Sequence, residues 1–80
     1  MIELYTKPDC PHCVSAKHQL QAMGIDYVEK NIAVESSQRE FLLQEGHKSV
    51  PQIYVNGKCI RGGYNTLQKM SKSEIINFKG

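Results

Sequence analysis

Three features of this 80-residue sequence predict a small α/β fold, a four-stranded mixed sheet with helices on both faces, in the order βαβαββα. Apolar residues alternate with period two near the N-terminus. The spacing turns helical after Pro11, and an Asn56-Gly57 dipeptide between two apolar runs marks a hairpin. A strand–helix–strand beginning implies two parallel strands joined by a crossover, and the hairpin adds antiparallel pairing.

In "IELYT" (2–6), Ile2 and Leu4 alternate with Glu3 and Tyr5, which predicts a first strand ending before Lys7-Pro8. From Pro11, which suits a first helical turn, Val14, Ala16, Leu20 and Met23 lie towards one side of a helix over 11–23 that Gly24 stops. "IDYVEKNI" (25–32) returns to alternation through Ile25 and Tyr27, a second strand. In 35–46, Ser36 or Ser37 can cap a helix containing Phe41, Leu42 and Leu43, with Gly46 as its stop. The segment 50–63 holds Ile53, Tyr54 and Val55, the Asn56-Gly57 turn, then Cys59 and Ile60. After Gly62-Gly63, Leu67, Met70, Ser71, Glu74, Ile75 and Phe78 recur at helical intervals, in a terminal helix whose continuity across Ser71–Ser73 the pattern leaves open.

With 40% apolar and 22% charged residues and no low-complexity tract or repeat, the chain reads as a single globular domain over 1–80. "MIELYTKPDC" lacks the basic region and apolar run of a secretory signal, and no apolar stretch is long enough for a membrane span, so a cytoplasmic protein is expected. A net charge of +2, with scattered lysines and no basic stripe interleaved with aromatics, argues against a nucleic-acid partner. The bias around Lys7, Lys17, Lys48, Lys58 and Arg61 suits small anionic substrates only if geometry gathers those charges. Three cysteines, at 10, 13 and 59, are too few and too uneven for a disulfide framework.

Cys10-Pro11-His12-Cys13 carries the chemistry. A C-x-x-C pair beside a βαβ pattern reads as a redox dithiol. Cys10 falls where a strand gives way to a helix, and the unpaired N–H groups and positive dipole end there stabilise a thiolate over a thiol. Cys13, one turn on, is placed to open a mixed disulfide formed at Cys10. Pro11 stiffens the turn, and a protonated His12 would make the disulfide more oxidising. A zinc site would need two more ligands at suitable spacing, and His12, His18, His47 and Cys59 do not supply them, so no metal is expected. An inert structural pair would favour an apolar interior over a Pro-flanked loop-to-helix junction. Cys59, in the hairpin's second strand, reads as a small packing residue before a regulatory thiol.

With "YTKPDCPHC" (5–13), "SVPQIYVNG" (49–57) and "GGYNTL" (62–67) in this order, the sequence resembles the glutaredoxins nearly end to end. The resemblance implies a thioredoxin-like fold and a thiol–disulfide oxidoreductase in which Cys10 attacks and Cys13 resolves. Glutathione would be the co-substrate, with no bound cofactor, and the protein a monomer. Disulfide-containing proteins would be its partners, and ribonucleotide reductase is an acceptor the resemblance allows. It also implies a cis Pro51 that leaves the Val50 backbone free to pair with substrate. Lys7, helped by Gln38 and Lys48, would hold the glycine carboxylate of glutathione. Gly63 would let it approach, and Tyr64, Asn65 and Thr66 would take its γ-glutamyl end.

Three departures bear on that reading. His12 replaces a common Tyr. Asn65 and Thr66 stand where acidic residues are usual, and a lost charge-assisted bond there costs about 1.5–3 kcal/mol. Arg61 precedes the glycines in place of an apolar residue. A small redoxin served by thioredoxin reductase, an iron–sulfur carrier using Cys10, and a non-catalytic module of the same fold remain the alternatives.

Overall fold

The computed structural model describes residues 1–80. Its elements are β1 (Ile2–Thr6), α1 (Pro11–Ala22), β2 (Val28–Asn31), α2 (Ser36–Gln44), β3 (Gln52–Val55), β4 (Lys58–Cys59), α3 (Tyr64–Leu67) and α4 (Lys72–Ile76). The sheet runs β2-β1-β3-β4, with β1 parallel to β2 and antiparallel to β3, and β3 antiparallel to β4. No helix is long and apolar enough to cross a membrane.

Alternation along β1 and β3 divides the interior. Ile2, Leu4, Ile53 and Val55 point to one face, where Ala16 and Leu20 of α1, Ile60, Leu67 of α3 and Ile75 of α4 complete the larger core. Tyr5 and Tyr54 point to the other, where Leu42 and Phe41 of α2 cover them. The Tyr5 ring stacks on Phe41 at 5.4 Å and meets Tyr54 edge-on at 5.6 Å. Helices therefore lie on both faces of a four-stranded mixed sheet.

Several boundaries differ from the sequence reading, each for a local reason. Val14 is 46% exposed, because the buried ridge of α1 runs through Cys13, Ala16 and Leu20 and leaves Val14 beside it. The second strand starts at Val28: Ile25 is buried in the larger core while its N–H donates to the Leu20 carbonyl at 2.9 Å, which holds 25–27 to the end of α1. Glu35, without a side-chain cap bond, occupies the N-cap of α2 in place of Ser36 or Ser37. The terminal helix is two short ones, because Ser71 starts a new helix with a capping box. Its hydroxyl accepts from the Glu74 N–H at 3.2 Å, and the Glu74 carboxylate accepts from the Ser71 N–H at 2.8 Å. Asn56 and Gly57 both have positive φ, 49° and 84°, as the predicted hairpin turn requires.

Candidate active site

Cys10 is the N-cap of α1, and Pro11 takes the first helical position, where its missing N–H costs nothing. The Cys10 sulfur accepts the Cys13 N–H at 3.2 Å. Negative charge on that sulfur, whether it is attacking or leaving, meets this amide and the positive end of α1. On its other side Cys10 Sγ lies 3.8 Å from the Val50 carbonyl oxygen, and the Val50–Pro51 peptide is cis, as expected. Cys10 is 8% and Cys13 1% exposed. Burial, and then a hydrogen bond with Cys10, push the Cys13 thiol up to about 12, against the opposing pull of the Lys7 backbone amide and the Lys17 charge. The two thiols are thus unequal in position: one at the mouth of the helix, the other behind it.

Two clefts meet at Val50, which lines both. The larger, about 770 Å³, has His12, Pro51, Gly63, Tyr64 and Asn65 in its wall. The His12 and Tyr64 rings stack there, centroids 5.7 Å apart and planes 26° from parallel. His12, which replaces a common Tyr, is thus backed by a second ring. Gly63 has φ 57° and ψ −135°, and a Cβ there would stand 3.0 Å from the Pro51 carbonyl oxygen, so glycine keeps this wall open. The smaller cleft, about 340 Å³, is lined by apolar Ile32, Leu42 and Leu43 and by charged Lys7, Arg39 and Lys48.

Lys7, Lys48, Val50, Pro51, Gly63, Tyr64 and Asn65 therefore line the clefts beside Cys10, while two other expected residues do not. Gln38 lines neither cleft, and its neighbour Arg39 does. Thr66 lines a separate depression with Lys58 and Phe78. Tyr64 and Asn65 take the cleft side of α3, and Thr66, turned about 100° further round the helix, falls outside it.

Sequence reasoning also missed the far wall of the larger cleft. His47 Nε2 lies 2.7 Å from the Tyr54 hydroxyl and 3.8 Å from Cys59 Sγ. Cys59 packs partly buried against the Tyr5–Leu42–Tyr54 cluster, the expected packing role, but also borders the cleft. Burial holds its thiol above the usual range. The only sequence signal for this wall was the two-residue period that sets Gln52 and Tyr54 on one side of β3.

Residues 2–60 match the family model described as Glutaredoxin. Over 74 residues the chain is 34% identical to a glutaredoxin of Neisseria meningitidis serogroup A, covering 89% of this chain and 85% of that one. Among solved structures, a buckwheat glutaredoxin–glutathione complex superposes with a TM-score of 0.75 at 22% identity, covering 94% of this chain and 71% of that one. The NrdH-redoxin of Escherichia coli, described as glutaredoxin-like with a thioredoxin-like activity profile, also gives 0.75, at 21% identity over 88% of this chain and 93% of that one. At those identities the superpositions establish the thioredoxin-type fold. The family match, the relative's identity and the Cys10–Cys13 pair at the head of α1 establish that the chain belongs to the glutaredoxin family of thiol–disulfide oxidoreductases.

Proposed function

We propose that this protein reduces protein disulfides and glutathionyl mixed disulfides with glutathione as its diffusible co-substrate, in the cytoplasm and as a monomer. The observation that carries the reading is the contact of Cys10 Sγ, at 3.8 Å, with the carbonyl of Val50, a residue that lines both clefts. A tripeptide joined to Cys10 would lie along the Val50 backbone like one more strand. Its glycine carboxylate would face Lys7, Arg39 and Lys48, and its γ-glutamyl end would lie between Gly63, Tyr64 and Asn65.

In the single-thiol route, Cys10 thiolate attacks the glutathionyl sulfur of a mixed disulfide and the protein thiolate leaves. A second glutathione thiolate then attacks the Cys10-bound sulfur, releasing glutathione disulfide and restoring Cys10. In the two-thiol route Cys13 opens the intermediate instead, and two glutathione molecules later reduce the Cys10–Cys13 bond. Ribonucleotide reductase is a protein disulfide of the kind this route would serve.

The second reading is a redoxin fed by thioredoxin reductase. It is favoured by Asn65 at the cleft, which brings an amide where a carboxylate would pair with the γ-glutamyl ammonium. Fold similarity does not separate the two, since both neighbours superpose equally well. Steady-state reduction of a glutathionylated peptide, driven by glutathione with glutathione reductase or by thioredoxin reductase, does. Turnover with glutathione, lost in Cys10→Ser and kept in Cys13→Ser, is the expected result. Turnover only with thioredoxin reductase would overturn the glutathione assignment.

A further inference from the structure

Cys13 has to lose its proton before it can attack, yet it is 1% exposed and its burial opposes ionisation. Cys10 and Cys13 both line an open depression of about 630 Å³ whose charged lining is Lys7 and Asp9 from the β1–α1 loop, Lys17 from α1 and Glu29 from β2. Lys17 is four residues after Cys13, so the helix sets both on one face. Its Nζ lies 3.0 Å from Glu29 Oε2, and the same oxygen accepts the hydroxyl of Thr6 at 2.7 Å. Lys7 is exposed and also borders the smaller cleft, whereas Lys17 is half-buried and tied through Glu29 to the end of β1.

We propose that Lys17, held in place by Glu29 and Thr6, is a positioning residue for the resolving step, its fixed ammonium stabilising the Cys13 thiolate as that sulfur attacks Cys10. The inference rests on the two-thiol reading. In the step, Cys13 first gives its proton to solvent. The thiolate attacks the Cys10 sulfur of a Cys10–S–S–R intermediate, the Cys10–Cys13 bond forms, and the Cys10–SR bond breaks. R leaves as a thiolate that takes a proton from solvent, so the substrate disulfide gains two electrons and the protein dithiol loses two. Lys17 stays protonated throughout and touches no reacting substrate atom. A shift of one unit in the pKa of a thiol is about a tenfold change in its thiolate fraction.

The test mixes reduced protein, in a Cys59→Ser background, with one equivalent of an aryl disulfide that releases coloured thionitrobenzoate. Attack by Cys10 releases the first thiolate and resolution by Cys13 the second, so stopped flow separates the steps. Lys17→Gln should slow the second phase about tenfold at neutral pH and move its pH–rate profile up by about one unit, with the first phase within about twofold. Lys17→Arg should restore the second phase and its pH profile. A second phase untouched by Lys17→Gln, equally slow in Lys17→Arg, or slowed without displacement of its pH profile, would overturn the proposal. Cys13→Ser must delete the second phase. If it does not, or if the parent has none, the two-thiol reading fails and the proposal with it. Glutathione is absent from the assay, so failure of glutathione dependence elsewhere leaves this result standing.

Discussion

Replacing Gly63 by Ala tests how the wall of the larger cleft is held. Gly63 combines φ 57° with ψ −135°, and an added Cβ would lie 3.0 Å from the Pro51 carbonyl oxygen. A side chain in such a sparsely populated region costs about 1–3 kcal/mol. Loss of unfolded-chain freedom on Gly→Ala offsets about 0.4–1 kcal/mol of that. Pro51 is buried and leads directly into β3, so its carbonyl can retreat only by disturbing the strand. These two terms leave about 0–2.6 kcal/mol, and with the crowding at the Pro51 carbonyl added, a net loss of about 1–2.5 kcal/mol lowers the melting temperature of a domain this size by about 5–15 °C. Gly46→Ala is the control: its φ is 84°, but an added Cβ there meets nothing within 4 Å. Thermal unfolding followed by circular dichroism should place Gly63→Ala at least about 5 °C below Gly46→Ala, and the same variant should raise the KM for a glutathionylated peptide. Equal melting temperatures for the two variants would refute the reasoning, because the close approach to Pro51 would then contribute nothing.

The charged lining of the smaller cleft makes a sharp distinction between neighbours: Arg39→Ala should raise the KM for a glutathionylated peptide about two- to fivefold, as for one exposed ion pair, while Gln38→Ala changes it less than twofold. Thr6 first and then Lys17 hold the Glu29 carboxyl below its usual 4.5, so its stabilisation is present above that value and lost as pH falls through the lower folded value. Urea midpoints of Glu29→Gln should therefore fall less steeply than the parent's between about pH 5 and 3, a window in which Lys17 stays charged. Cys13 has the opposite sign: its thiol, raised from 9.0 to about 12, contributes stability that is complete below 9.0 and drains away as pH rises towards 12. Reduced Cys13→Ser should lose less stability than the parent on going from about pH 8 to 11, with a residual slope from Tyr54 and Cys59, which burial also raises.

What the sequence made legible was set by local chemistry, and what it hid was set by packing. Cys10 at an N-cap, Pro11 at the first helical position and the Asn56-Gly57 turn each follow from the preferences of a few adjacent residues. The phase of a short helix does not. In α2 only Leu42 is fully buried, so the pattern gives little to choose between Gln38 and Arg39. In α3, only four residues long, Asn65 and Thr66 were indistinguishable until Leu67 entered the core. The His12–Tyr64 stack joins two helix starts far apart in the chain, and no local rule reaches across that gap.

The convergence of the three motifs, by contrast, is a consequence of strand direction. β1 delivers Cys10 at its C-terminal end. Because β3 runs antiparallel to β1, with Tyr5 opposite Gln52, that end stands beside the start of β3, which is where Val50 and Pro51 lie. β4 runs antiparallel to β3, with Tyr54 opposite Cys59, and the Ile60 N–H donates to the Ile53 carbonyl at 2.8 Å. The chain leaving β4 is thereby returned to the same edge, carrying Arg61, Gly62 and Gly63 with it. Once the order β1, β3, β4 and the two antiparallel pairings are fixed, the thiol, the backbone edge that faces it and the glycines that open the wall have to meet at one end of the sheet. The position of the site is thus a property of the topology, whereas which side chains line its clefts, His12, Arg39, Tyr64 and Asn65 among them, is decided by packing.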